Sequence, residues 1–203
     1  MYPYQLSFHG IRDFIPTKIK FGKEDEHVLT GGINGSGKST IVYAMALAMA
    51  SEEIDIWALR SKNIDKNKPW NAAVSVIFHN PPGKYQKDAP EYVEFKVEIS
   101  SNNIERYEIK YRLFGGIHPD HMQLLKPFTS RSAALDHLRN AYNIDVDGYF
   151  MFCYQGSITS FADCSDIDRF KRVSKMYGID IYESVWRNAQ EQLADAELNL
   201  AKA

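Results

Sequence analysis

The chain lacks the features of a secreted or membrane protein. It has only two cysteines, Cys153 and Cys164, which match no metal-ligand spacing, so free thiols in a reducing compartment are expected. The N-terminus has no basic segment followed by an apolar run, and the longest low-charge run, TIVYAMALAMAS, is too short to span a bilayer. We therefore expect a cytoplasmic protein with no membrane partner.

An excess of one charge is also absent. Over 203 residues, 24 Lys and Arg stand against 26 Asp and Glu, for a formal net charge of −2. No global basic field attracts nucleic acid, so any such binding must come from a local patch. The 44% hydrophobic and 25% charged residues are typical of a globular chain with one sizeable domain, or a domain and an appendage.

What is present is a complete phosphate-loop pattern, G-x-x-x-x-G-K-[ST], within GGINGSGKST. Glycines let successive N–H groups turn toward phosphate oxygens, Lys38 offers a mobile charge to the β- and γ-phosphates, and the Ser39 hydroxyl is placed to ligate Mg²⁺. The strand-like HVLT before the loop and the helix formers STIVYAMALAMA after it give the required order of strand, loop and helix. A chance glycine-rich turn is the alternative. The predicted nucleotide-binding residues are Asn34, Gly35, Ser36, Gly37, Lys38, Ser39 and Thr40.

The surrounding patterns predict a mixed fold of class α/β (α+β). YQLSFHGIRDFIPTKIKFG predicts a hairpin, and AAVSVIFHN, EYVEFKVEIS and IERYEIKYRL predict an antiparallel meander with one solvated face. SRSAALDHLRNAYNI and SDIDRFKRVSKMYG predict helices, with Ser130 or Ser132 and then Ser165 as N-caps. GGIHPDHMQLLKPF matches no pattern and is interpreted as a loop. His118 and His121 in it have H-x-x-H spacing, but no helix or third ligand supports a metal.

Two patterns near the C-terminal end each allow two interpretations. YFMFCYQGSI predicts a buried strand ending at Gln155, which is either a plain strand-end polar residue or a ligand of the nucleotide's metal. Further on, apolar residues recur at intervals of three and four, which is a heptad pattern. An ordinary amphipathic helix is one interpretation. The first turns of a longer antiparallel coiled coil are favoured, because no glycine or proline ends the pattern. The repeating residues are Ile179, Tyr182, Trp186, Ala189, Leu193, Ala196, Leu200 and Ala203.

Two further observations concern charge. Arg60, Lys62, Lys66 and Lys68 stand against one acid, Asp65, and a solvated loop is the ordinary interpretation of such a segment. A self-contained P-loop NTPase also needs an acidic residue at the end of a second apolar strand. No predicted strand of this chain ends in one, so the sequence predicts half of a nucleotide site.

Taken in order, five segments resemble the N-terminal lobe of the ATPase head in the SMC and Rad50 superfamily, within the ABC-type ATPases. They are its opening hairpin, phosphate loop, arginine segment, Q-loop and the run into a coiled coil: HGIRDFIPTKIKF, GINGSGKST, LRSKNI, CYQGSI and SDIDRFKRVSKMYGIDIYESVWRNAQEQL. The resemblance implies ATP and Mg²⁺ as cofactors, Lys38 and Gln155 as catalytic residues, Ser39 and Gln155 as metal ligands, and Arg12 close to the nucleotide. TGG in place of a single glycine, and the segment GGIHPDHMQLLKPF, depart from the family pattern.

The same resemblance implies an organisation and partners. Residues 1–178 would be the N-terminal lobe and 179–203 the start of a coiled-coil arm, with the missing acid and signature motif on a C-terminal lobe. A second head as homodimer partner, a kleisin-like, nuclease or other accessory subunit, and DNA at Arg60, Lys62, Lys66 and Lys68 are the expected partners. The expected function is an SMC-like ATPase head that couples ATP hydrolysis to DNA binding or DNA movement, in a prokaryotic DNA-maintenance, repair, anti-phage or anti-plasmid system associated with the nucleoid. A self-contained P-loop enzyme such as a kinase, and a non-catalytic scaffold stabilised by ATP, are the alternatives.

Overall fold

The computed structural model describes most of the chain in two compact units, Met1–Phe152 and Cys153–Ala203. The described residues are 1–21, 31–33, 36–49, 55–65, 67–82, 87–102, 106–142, 144, 164–176, 182 and 185–193. The predicted strands around HVLT and YFMFCYQGSI, and with them Gln155, lie outside these residues, as do Asn34, Gly35 and Lys66.

The first unit is built on an antiparallel sheet of six strands. In chain order these are β1 Tyr2–His9, β2 Thr17–Lys20, β3 Trp70–His79, β4 Tyr92–Ser101, β5 Glu108–His118 and β6 His121–Phe128. Their order across the sheet is β2-β1-β3-β4-β5-β6, so the hairpin of β1 and β2 joins the meander through pairing of β1 with β3. The predicted hairpin and antiparallel meander are thereby confirmed.

Alternation along β4 separates the two faces of the sheet. Val93, Phe95 and Val97 are fully buried, whereas Glu94 and Lys96 between them remain partly exposed. Helix α1, Lys38–Met49, packs on the sheet at β3 and β4, and helix α2, Arg131–Tyr142, contacts β5 and β6. The central strand β3 is buried at all but its second and last residues, which suits a strand covered on both sides.

The turn after β1 depends on one glycine. Gly10 has φ of +67°, a left-handed conformation that glycine adopts without steric cost. A Cβ there would collide with the carbonyl of Asn71, and the Gly10 carbonyl accepts a hydrogen bond from the Trp70 indole nitrogen at 2.7 Å. The backbone of β3 is thus fixed against the turn that leads toward the phosphate loop.

The interpretation of GGIHPDHMQLLKPF as a loop is wrong. Its first residues complete β5, and His121–Phe128 forms the edge strand β6, paired with β5 through shifted registers. The strand escapes notice in the sequence because it lies at the edge of the sheet formed by the described strands and most of its side chains are exposed, so no apolar alternation develops.

In the second unit, helix α3 spans Asp166–Met176. The predicted N-cap is confirmed, because the Asp168 backbone N–H donates to the Ser165 hydroxyl oxygen at 3.1 Å and that hydroxyl donates to the Asp168 carboxylate at 2.7 Å. Residues 182 and 185–193 are also helical, and Tyr182, Trp186 and Leu193 are 75%, 65% and 60% exposed. Such exposure agrees with an apolar face that would pack against a second helix. The coiled coil itself stays a prediction.

Candidate nucleotide site

The phosphate loop runs directly into the N-terminus of α1. Gly37 has φ of +87°, and its carbonyl accepts the Thr40 N–H at 2.9 Å, which closes the first turn of the helix. The first turn contains no acidic residue that would oppose the positive end of the helix dipole. This end of α1 therefore has the geometry and charge of an anion site.

Lys38 folds back over the loop that precedes it. Its ammonium group donates to the carbonyl oxygens of Gly32 and Ile33, both at 2.8 Å. The positive charge thus lies inside the curl of the loop, where phosphate oxygens would compete for it with neutral carbonyls. Together with the Ser39 hydroxyl and the N–H groups at the start of α1, this donor set matches nucleotide phosphates.

Arg12 reaches the same turn of α1 from the hairpin. Its Nη1 donates to the Thr40 hydroxyl at 3.1 Å, its Nε donates to the Ala58 carbonyl at 3.3 Å, and its Cζ lies 5.6 Å from the ring centre of Tyr43. Thr40 is 1% exposed. Its hydroxyl is therefore buried in the first turn of the helix, where it accepts the hydrogen bond from Arg12. This contact places Arg12 beside the phosphate loop.

Arg60 has a different environment from the other basic residues of its segment. It is 9% exposed, and its Nη2 donates to the carbonyls of Asp65 and Lys68 at 2.7 and 2.8 Å. Lys62 and Lys68 are exposed. Arg60 thus lies on the inside of the basic loop, whereas Lys62 and Lys68, the described lysines of that loop, are exposed to solvent.

Two neighbours of Arg12 contribute contacts that the sequence patterns did not indicate. The Asp13 carboxylate accepts hydrogen bonds from the Ser61 hydroxyl and from Asn63 Nδ2, the latter at 3.1 Å. The ring of Phe14 lies against Gly37, where an added Cβ would collide with it. Both contacts join residues far apart in the chain, and no local spacing could have revealed them.

The remaining predicted ligands are only partly described. Ser39 lies in the first turn of α1, and Gln155 falls outside the described residues. Within the described part of the chain, no group of three or more His, Cys, Asp or Glu side chains comes together for a metal ion. His118 and His121 have ring centres 5.8 Å apart, on either side of the turn between β5 and β6. None of the helices in the described ranges is long and apolar enough to cross a membrane.

Comparison with known sequences identifies SMC proteins, while no protein-family model matches the chain. It is 29% identical over 209 residues to the chromosome partition protein Smc of Pyrococcus furiosus. It is 28% identical over 206 residues to the protein of the same name from Aquifex aeolicus. Each alignment spans 98% of this chain and 16% of the relative, so the chain corresponds to a small part of those proteins.

Solved structures give the same result. An SMC ATPase studied for ATP-driven dimerization and DNA-stimulated activation matches with a TM-score of 0.61 and 25% identity, over 87% of this chain and 99% of that one. The Smc head domain of Pyrococcus yayanosii, with a coiled coil and joint, matches with a TM-score of 0.65 and 26% identity, over 99% of this chain and 37% of that one. A third match, with a TM-score of 0.53 and 26% identity, is an Smc head bound to the C-winged helix domain of ScpA, and covers 81% of this chain and 48% of that one. The chain is a homologue of the SMC proteins in the SMC/Rad50 superfamily, and it has the fold of the N-terminal lobe of an SMC ATPase head.

Proposed function

We propose that this chain is the ATP-binding half of an SMC-type ATPase head. The observation that supports this most is the phosphate loop at the N-terminus of α1. The Lys38 ammonium donates to carbonyls at the start of this loop, and Arg12 donates to Thr40 in the first turn of the helix. The loop stands in a fold homologous to SMC heads, whose solved relative was studied for ATP-driven dimerization.

The proposal assigns a role to the loop and to the residues beside it. Backbone N–H groups at the start of α1 receive the phosphates, and Lys38 exchanges its two carbonyl partners for phosphate oxygens. Arg12 adds a second positive charge beside the first turn of α1. Ser39 and Gln155 would hold Mg²⁺, which neutralises charge that develops on the phosphates during transfer.

The rest of the site would come from other polypeptide segments. An acidic residue that orients water and a signature motif are needed for hydrolysis, and the sequence supplies no candidate for the first. We place them on a C-terminal lobe and on a second head of the same kind. ATP would hold two heads together, and hydrolysis would release them and move coiled-coil arms that begin at residues 179–203.

We further propose that the head acts on DNA. The support is the exposed pair Lys62 and Lys68 on a loop braced by Arg60, together with relatives named for chromosome partition. One matched structure concerns DNA-stimulated activation and another contains ScpA, so a DNA ligand and a kleisin-like subunit are the partners we assign. The role would then be chromosome maintenance or a related repair or defence system in the nucleoid.

Calorimetric titration with Mg-ATP, alongside an ATP turnover assay, tests the core of the proposal. We expect the chain to bind ATP without hydrolysing it, and Lys38→Ala to lose binding while retaining its melting temperature. Lys110→Ala is the matched control, because Lys110 is an exposed lysine on β5 whose partner is Glu108. Tight binding by Lys38→Ala would refute the site, and steady turnover by this chain alone would favour the self-contained enzyme.

A further inference from the structure

The ring of Phe14 lies directly behind the tightest turn of the phosphate loop. Gly37 has φ of +87°, a conformation that side-chain-bearing residues rarely adopt. A Cβ built on Gly37 would collide with two atoms of the Phe14 ring, Cζ and Cε2. The glycine is therefore needed for its conformation and also because an aromatic ring occupies the space beside its Cα.

The position of this ring is set by the sheet and not by the loop. Phe14 meets Phe8 edge to face, with ring centres 5.4 Å apart, and Phe8 is 3% exposed in β1. The Phe14 N–H also donates to the Ile11 carbonyl at 3.2 Å. The two inner residues of this turn are also held, since Arg12 donates to Thr40 and Asp13 accepts from Asn63, so the backbone that carries the ring is anchored at two further places.

We propose that Phe14 is a positioning residue for the phosphate loop. Its ring forms a fixed wall that holds Gly37 in the left-handed conformation, so that the N–H groups beyond Gly37 converge on phosphate before any ligand arrives. Glycine is the residue with most conformational freedom to lose, and a loop that is already ordered does not have to be ordered on binding. The inference rests on the proposed ATP binding, and it adds a residue that no phosphate-loop pattern includes.

Removing the ring should weaken binding at the loop and spare the rest of the fold. We expect Phe14→Ala to bind Mg-ATP about tenfold more weakly, which corresponds to the cost of ordering one or two groups on binding. The affinity of Phe14→Ala for inorganic tripolyphosphate, which has no base or ribose, should fall by a similar factor, because the Phe14 ring positions the N–H groups that bind phosphate. Phe14→Leu keeps apolar volume beside Gly37 and adds no atom at the ring tip, so it should retain affinity within about threefold.

Tyr4→Ala is the matched control. Tyr4 stands on β1, the strand of Phe8, and meets Tyr92 edge to face with ring centres 5.3 Å apart, on a part of β1 that pairs with the far end of β3. It should lower the melting temperature and leave ATP affinity unchanged. A Phe14 residue that served stability alone would behave in the same way.

Titration of these variants, with amide hydrogen exchange of the nucleotide-free chain, separates the outcomes. We expect the Thr40 amide, bonded to the Gly37 carbonyl, to exchange faster in Phe14→Ala and close to the parental rate in Phe14→Leu. The inference is overturned if Phe14→Ala matches the parent in ATP affinity or in Thr40 exchange, or if Phe14→Leu binds as weakly as Phe14→Ala. Where Phe14→Ala does not fold, Phe14→Val takes its place with the same criteria. A parent chain that binds no ATP refutes the proposed function, whereas parental exchange at Thr40 in the ring-less variant refutes only the role of Phe14.

Discussion

Arg12 and Thr40 are joined by a hydrogen bond of 3.1 Å from the guanidinium Nη1 to the threonine hydroxyl. The bond links the turn after β1 to the first turn of α1, and Arg12 takes a φ of +48° to reach it. Non-glycine residues in this conformation cost free energy and cluster at functional sites. The strain is thus located where the hairpin meets the phosphate loop.

The first prediction separates the charge of Arg12 from its hydrogen bond. Arg12→Met keeps an apolar stem but removes the guanidinium that lies over Tyr43, and with it the charge beside the loop, so ATP affinity should fall several-fold, by about 1 kcal/mol. Thr40→Val removes only the buried acceptor, so unfolding free energy should fall by about 1 kcal/mol with a smaller change in affinity. Urea unfolding and Mg-ATP titration of both variants measure the two effects. Equal effects of both variants on both quantities would contradict this division.

The second prediction concerns the turn at Gly10. Gly10→Ala would place a Cβ against the Asn71 carbonyl at a left-handed φ, so it should destabilise the chain by at least about 2 kcal/mol. Gly31→Ala is the control, since nothing lies within 4 Å of a Cβ at Gly31. Its stability should stay within about 0.5 kcal/mol of the parent. Denaturant midpoints of the two variants decide the matter, and a Gly10→Ala midpoint as close to the parent as that of Gly31→Ala would show that a backbone shift relieves the collision.

The sequence predicted the elements whose signals are local. The hairpin, α1, the strands of the meander and the Ser165 cap all follow from spacing within a few residues, and so does the phosphate loop. β6 was missed because its side chains are exposed and only pairing with β5 makes it a strand. Asp13 and Phe14 were missed for a related reason, since their partners Asn63 and Gly37 are brought close by the fold alone.

Arg60 shows how burial can revise the interpretation of a residue. In the sequence it is one of several basic residues in a segment that a solvated loop explains. In the structure its guanidinium is inside, bonded to the carbonyls of Asp65 and Lys68. Charge alone could not separate it from Lys62, because the difference is made by where the loop backbone folds.

The third prediction concerns pH and His137. Burial lowers the pKa of His137 below its ordinary 6.5, and the charge of Lys126 lowers it further. The unfolded chain therefore binds a proton first as pH falls, so stability is complete above about pH 6.5 and declines below it. His137→Phe should keep the ring contacts with Phe128 and Tyr142 and remove this part of the decline. Urea midpoints at pH 7.5 and 5.5 measure it, and an unchanged difference between the two pH values would place the decline elsewhere.

The last prediction separates the two kinds of basic residue on the loop of residues 60–68. Arg60→Met removes the donor to two carbonyls from a buried position, so unfolding free energy should fall by about 1–3 kcal/mol. Lys62→Met with Lys68→Met removes exposed charges and should leave stability within about 0.5 kcal/mol of the parent.

The lysine pair should instead change DNA binding. Removing one ion pair between a lysine and a DNA phosphate flattens the slope of log affinity against log salt by about 0.9, so the double variant should bind more weakly and with a weaker salt dependence. Fluorescence anisotropy with a duplex at several salt concentrations measures the slope, and Lys110→Met is the control for removal of an exposed lysine. An unchanged slope would remove DNA binding from this loop, and its exposed lysines would then be ordinary solvated charges.

A flatter slope together with unchanged stability would place DNA on a loop that is tied to the nucleotide site. Arg60, which braces that loop, follows directly on Leu59, whose carbonyl accepts the Arg12 N–H at 2.6 Å. The Arg12 side chain in turn donates to Thr40 in the first turn of α1. The loop that binds DNA and the first turn of α1 would then both be hydrogen-bonded to Arg12 in the hairpin, through Leu59 and Thr40.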